Sequence, residues 1–282
     1  MGAANLKYEI REIVVAAHDL EHLGLELTWE NIGDPVQKGE TPPKWIRDTI
    51  SDLVHEAPSW AYCDTQGVAE TREFLAEAVN QRDGVRVSPD EIMFFNGLGD
   101  AVAKVYGFLN REARILGPSP AYSTHSSAEA AHSGYDHVTY DLDPYDGWMP
   151  DVADIRKKIQ YNDSIAGILL LTPDNPTGAV YPREIVENIA AIAHENDVFL
   201  IADEIYANIV YNGSGRLSMS EWIGDVPGIA MRGISKEVPW PGARCGWLEI
   251  LNKGKDNNFA QYVDSLPRRE TLGSFIHHAP SD

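Results

Sequence analysis

Apolar residues at Leu6, Ile10, Ile13, Val14, Ala17 and Leu20 fall at near-helical spacing, which predicts an amphipathic helix over residues 6–23. Leu25 to Ile32 reads as a short strand that Gly33-Asp34-Pro35 breaks. A Gly/Pro-rich loop runs through Pro42-Pro43, and Trp45 to His55 is helical again. Residues 1–48 therefore read as an arm that packs on something else. The aromatic stretch Ala57 to Gly67 follows, then a helix from Val68 to Arg82 with Phe74, Leu75 and Ala78 on one face.

From here apolar runs and helical patterns alternate. Ile92 to Phe95 is a strand, and Asn96-Gly97-Leu98-Gly99-Asp100 turns directly into a helix over Ala101 to Asn110. Ala113 to Gly117 and His137 to Tyr140 are strands, with a helix at Ser126 to His132 between them. Val152 to Ile159 is helical. Ala166 to Leu171 is continuously apolar, as a strand buried on both faces should be. Arg183 to His194 is a helix, Val198 to Ala202 a strand that ends on Asp203, and Gly228 to Met231 another that leads to Ser235-Lys236. This alternation predicts an α/β fold with a largely parallel sheet.

Composition narrows the function classes. The 282 residues carry 23 basic and 43 acidic side chains, a net charge of −20. Such a balance argues against nucleic acid and against anionic membrane as partners. The longest apolar run, Ile165 to Leu171, is far too short to cross a bilayer. The N-terminal residues lack the basic-then-apolar layout of a signal peptide. Cys63 and Cys245 lie far apart without metal-ligand spacing. They read as reduced thiols of a cytoplasmic protein, and no metal site is expected.

Three charged residues lie just beyond apolar runs: Asp203, Lys236 and, in a Pro/Gly-rich loop, Arg244. Tyr206 is three residues after Asp203. In open α/β sheets ligands bind outside the carboxyl ends of the strands, so these positions converge on one site. Each has an ordinary alternative: Asp203 as a helix N-cap, Lys236 as a solvated charge, Arg244 as a surface ion-pair partner. The Gly97-Leu98-Gly99 turn offers outward-pointing amides at a helix N-terminus, which favour an anion. Taken alone it is equally well explained as a tight βα connection with glycines at positive φ.

The ordered set changes the weighing. Asn96-Gly97-Leu98-Gly99-Asp100, Pro118-Ser119-Pro120-Ala121-Tyr122, Asn175-Pro176-Thr177-Gly178, Ala202-Asp203-Glu204-Ile205-Tyr206, and Ser235-Lys236 followed by Pro241-Gly242-Ala243-Arg244-Cys245-Gly246-Trp247 occur in this order. Over roughly residues 28 to 250 the chain resembles the class I and II aminotransferases, pyridoxal 5′-phosphate (PLP) enzymes of the aspartate aminotransferase fold. The resemblance implies a three-layer α/β/α large domain of fold type I over 49–282. Residues 1–48 would be an N-terminal arm with part of the small domain.

The resemblance also implies roles. Lys236 would be the Schiff-base lysine and proton carrier, its amine made less basic by a neighbouring cation such as Arg244. Asp203 would pair with the pyridine nitrogen. Asn175 and Tyr206 would hold the phenolic oxygen, and Tyr122 would stack on the ring. Gly97, Leu98, Gly99, Ser235 and Arg244 would take the phosphate. Tyr62 would reach the phosphate of the neighbouring subunit in a homodimer, and the main chain at Gly33 would line the substrate pocket. The implied reaction moves an amino group between an amino acid and a 2-oxo acid.

The chain departs from the family pattern in two places. Gly233 stands where a phosphate-binding serine is common. The small C-terminal domain, with the arginine that holds the substrate carboxylate, is expected to be missing. Alternatives on the same scaffold are a carbon–sulfur β-lyase and a non-catalytic PLP-binding fragment.

Overall fold

In a computed structural model of the protein, the described residues are 9–29, 33–211, 215 and 217–273, with side chains from 13 to 267. The helices are α1 (Glu9–His22), α2 (Lys44–Leu53), α3 (Ala69–Asn80), α4 (Leu98–Gly107), α5 (Ser123–Ser133), α6 (Val152–Gln160), α7 (Arg183–Glu195) and α8 (Asn257–Gly273). The strands are β1 (Ile92–Asn96), β2 (Arg114–Ser119), β3 (Thr139–Asp143), β4 (Met149–Pro150), β5 (Ile165–Leu171), β6 (Phe199–Asp203), β7 (Gly228–Gly233) and β8 (Cys245–Leu251).

One eight-stranded sheet has the order β1-β8-β7-β6-β5-β2-β3-β4. The run from β3 through β2, β5 and β6 to β7 is parallel. Strand β8 returns antiparallel between β1 and β7. Alternation along the strands feeds two cores. Ile168, Leu170, Leu200 and Ala202 face one layer with α3, α6 and α7. Leu169, Leu171 and Ile201 face the other, with α4 and α8. Side chains of successive strand residues point to opposite faces, so both sides of β5 and β6 are apolar and covered. The architecture is the expected three-layer α/β/α fold.

Several expectations are corrected in detail. Residues 25–29 are irregular rather than a strand, and 30–32 lie outside the described residues, as does Leu6. The helix expected from Ala101 starts at Leu98 and ends at Gly107, because Gly97 at φ +79° already turns the chain. In α3 the inward face is Arg72, Ala76 and Val79, whereas Phe74 is 67% exposed. Phe74 and Ala76 are two residues apart and so lie on different faces of a 3.6-residue helix. The Lys/Asn-rich segment after Leu251 leads into α8, whose Phe259, Val263 and Leu266 are buried at helical spacing. His277 and His278 lie outside the described residues. Among the described residues no helix is long and apolar enough to cross a membrane.

Candidate functional site

Strands β1, β2, β5, β6 and β7 all end at one edge of the sheet, and β8 begins there. The register fixes this: Asn96 pairs with Cys245, and Gly233 with Gly246. The sequence-predicted residues lie on or just past these ends. Asp203 is the last residue of β6, Lys236 follows β7, and Arg244 precedes β8.

Asp203 is 3% exposed. Its Oδ1 accepts from the Ile205 amide at 3.0 Å, and its Oδ2 is 3.0 Å from His125 Nε2. His125, 1% exposed on α5, is in turn 3.3 Å through Nδ1 from the Tyr106 hydroxyl of α4. The residues after Asp203 form a turn rather than a helix. One carboxylate oxygen therefore caps that turn and the other meets the imidazole. The sequence reading missed His125 and Tyr106. Both lie on the apolar side of helices, where a histidine gives no sign of its partner.

Tyr206 is half-buried and hydrogen-bonds Asn175. Burial, reinforced by the charge of Asp203, pushes its phenol above the ordinary tyrosine range. Tyr206 is thus held as a neutral hydroxyl that can donate. Tyr122 occupies the N-cap position of α5 and packs against the second core. The Asn175 loop is tied by Asp174, whose Oδ2 accepts from the Thr177 amide at 3.1 Å and the Thr177 hydroxyl at 2.5 Å.

The Lys236 amine lies 6.0 Å from the Tyr206 ring centroid and donates to the Gly33 carbonyl at 2.6 Å. Burial pushes this amine below the ordinary lysine range, while Asp34 opposes the shift. The expected contribution of Arg244 is corrected: desolvation, not a neighbouring cation, makes the amine less basic. A lysine that gives up its proton more readily is a better nucleophile and base.

Arg244 adopts φ +53° and donates through Nη1 to the Pro241 carbonyl at 3.1 Å. Its guanidinium packs against Gly97, the N-cap of α4, where an added Cβ would collide with it. A Cβ on Gly246 would meet the Leu98 amide nitrogen at 2.8 Å. A guanidinium beside the positive end of a helix is unfavourable on its own. An anion between them satisfies both. This donor set fits a phosphate. Gly99 has open space around it, Ser235 is half-buried in the Lys236 loop, and Tyr62 is 96% exposed.

Gly233 has a steric reason. A Cβ there would come within 2.9 Å of the Cys245 carbonyl and 3.1 Å of Ile205. A serine would push β7 off β8. At Gly97, alanine is expected to weaken PLP binding about tenfold or more by displacing Arg244, since a hydrogen bond to a charged group contributes about 1.5–3 kcal/mol. Titration of PLP onto Gly97→Ala tests this; unchanged affinity would remove Arg244 from the phosphate site.

Comparisons with known proteins identify the family. The profile of the family described as aminotransferase class I and II matches residues 28–274. An aminotransferase of Methanocaldococcus jannaschii is 57% identical over 96% of this chain and 63% of its own length. A glutamate–pyruvate aminotransferase of Escherichia coli is 31% identical over 93% of this chain and 64% of its own. The chain thus spans just under two thirds of the length of these relatives. The structure of an alanine aminotransferase from Pyrococcus furiosus superposes with a TM-score of 0.90 at 30% identity, covering 99% of this chain and 69% of that one. With its fold, the match over most of its length and its PLP-compatible strand-end site, the chain belongs to the aminotransferase class I and II family of PLP-dependent proteins.

Proposed function

We propose that this chain carries the cofactor site of a PLP-dependent aminotransferase that moves an amino group between a small amino acid and a 2-oxo acid. The observation that carries the reading is the half-buried Lys236 amine, less basic than usual, beside Tyr206, which pairs with Asn175 and follows the buried Asp203 by three residues. Bound PLP supplies an electron sink that makes a Cα–H bond of an amino acid ionisable. Asp203 would hold the pyridine nitrogen protonated, with His125 orienting its carboxylate. Asn175 and Tyr206 would orient the phenolic oxygen, and Tyr122 would cover the ring. Gly97, Leu98, Gly99, Ser235 and Arg244 would take the phosphate. Lys236 would hold the cofactor through Nζ and, when free, carry a proton at Nζ.

The names of the relatives favour alanine with pyruvate as one amino-acid and oxo-acid pair. We further assign residues 1–48 to an arm and 49–282 to the large domain. Ile13 and Val15 of α1, each 63% exposed, and the exposed Tyr62 support a homodimer in which Tyr62 reaches the partner's phosphate site. The free thiols Cys63 and Cys245 support a cytoplasmic location.

The test is direct. The chain incubated with PLP should absorb visible light, and borohydride should fix the cofactor to Lys236. Peptide mapping that put the label on any other lysine would end the assignment. Alanine-dependent amino transfer to a 2-oxo acid, without ammonia release, then separates transamination from elimination chemistry.

A further inference from the structure

Two segments carry the central residues of the site: the turn after β6 with Tyr206, and the segment after β7 with Lys236. Two side-chain links join them, and these links bracket both residues. On the inner side Arg232 bonds Glu204. Arg232 also donates to Ser218 Oγ at 2.8 Å, and its Nε is 3.0 Å from Glu249 Oε1. Glu204, 1% exposed, accepts in addition from the Met219 amide at 2.5 Å. On the outer side the Glu237 carboxylate accepts from the Asn208 amide at 2.8 Å through Oε1, and from the Asn208 side chain through Oε2. Glu204 and Asn208 lie two residues either side of Tyr206. Arg232 lies four residues before Lys236 and Glu237 one residue after it.

We propose that Glu237 is a positioning residue for Lys236: bonded to Asn208, its carboxylate closes a clamp whose other end is the Arg232–Glu204 pair, and so holds the lysine amine against the Tyr206 ring. The proposal rests on the reading of Lys236 as the cofactor lysine. The inner pair is buried and anchors β7 to the end of β6. Beyond it Gly233 still pairs with Gly246 of β8 and the Ile234 amide donates to the Cys245 carbonyl at 3.4 Å, after which Ser235 and Lys236 leave the sheet. Glu237, immediately after Lys236, supplies two hydrogen bonds to one residue of the facing turn. A two-point contact fixes orientation as well as distance. The 6.0 Å separation between Lys236 Nζ and the Tyr206 ring is then set by bonds on both flanks.

Charge and position make opposite predictions, which gives the test its power. Among the groups facing the amine are Asp34 from the N-terminal loop and Tyr206 from the turn. Glu237 adds a negative charge next in the chain. If Glu237 acted only through its charge, removing it would make the Lys236 amine less basic. If it acts as a clamp, removing it lets the loop open, water reach the amine, and its midpoint rise towards the ordinary lysine value.

The experiment uses the chain without added cofactor. Lysines are labelled with acetic anhydride across a pH series, and the midpoint for Lys236 is read by peptide mass spectrometry. Glu237→Ala is expected to raise that midpoint by about 0.5–1 pH unit, with an unchanged circular dichroism spectrum. Glu237→Gln keeps an acceptor for the Asn208 amide and is expected to stay within about 0.3 unit of wild type. A fall or no change in Glu237→Ala, or a rise in Glu237→Gln as large as in the alanine variant, overturns the proposal. The readout needs no turnover. A chain that fails to transaminate would count against the functional reading and leave the labelling result standing.

Discussion

Asp203→Asn is expected to leave PLP bound and to lower turnover by about three to four orders of magnitude, the scale seen when a site's electrostatic partner is neutralised. The substitution is close to isosteric. The retained amide oxygen can still accept from Ile205, so the turn that carries Tyr206 keeps its cap. The charge facing His125 disappears. On the proposed reading the buried carboxylate stabilises a proton on the cofactor nitrogen, which an amide does not do. Binding through the phosphate loop is independent of that proton, so affinity should change far less than turnover. Cofactor titration and steady-state rates on the same preparation separate the two. A variant within tenfold of wild type would reduce Asp203 to a turn cap.

How much of this site the sequence disclosed depends on how far each residue's partners lie along the chain. Asp203 ends an apolar run, and Gly97 and Lys236 come two and five residues after one, so their place at a strand end was legible from the run itself. His125 was not, because its partners Asp203 and Tyr106 are 78 and 19 residues away and only the packing of α4 against α5 over the sheet brings them together. The same holds for the Arg232–Glu204–Glu249 cluster, which looks in sequence like three ordinary charges. It is buried because β6, β7 and β8 are neighbours.

The basicity of Lys236 is a second case. From sequence, Arg244 was the obvious source, since it is the nearest cation in a shared motif. In the fold Arg244 is committed to Gly97 and the Pro241 carbonyl, and packing around the amine does the work instead. Element boundaries failed where a local signal competed with a tertiary one. Leu25 to Ile32 has strand-like composition, yet its described residues meet no edge of the sheet to pair with. In contrast, α8 could have been found: Phe259, Val263 and Leu266 repeat at four and three residues.

Replacing Lys236 should have the largest effect of all. Lys236→Ala is expected to lower turnover by about six orders of magnitude, as loss of a central nucleophile does elsewhere. The fold should persist, because the side chain is only half-buried and its amine is bonded to one loop carbonyl, that of Gly33. The more telling variant is Lys236→Arg. Arginine keeps the positive charge and can still donate to Gly33, but its guanidinium stays protonated at any pH the protein tolerates. If Lys236 served only as a cation that attracts an anionic substrate, arginine would preserve most of the rate. If its task is to give up a proton, bond to carbon and take the proton back, arginine should be as damaging as alanine. Parallel measurement of kcat and KM for both variants, with PLP occupancy checked by absorbance, decides between these roles. A Lys236→Arg protein that kept more than about one hundredth of wild-type turnover would contradict the assignment of Lys236 as nucleophile and proton carrier.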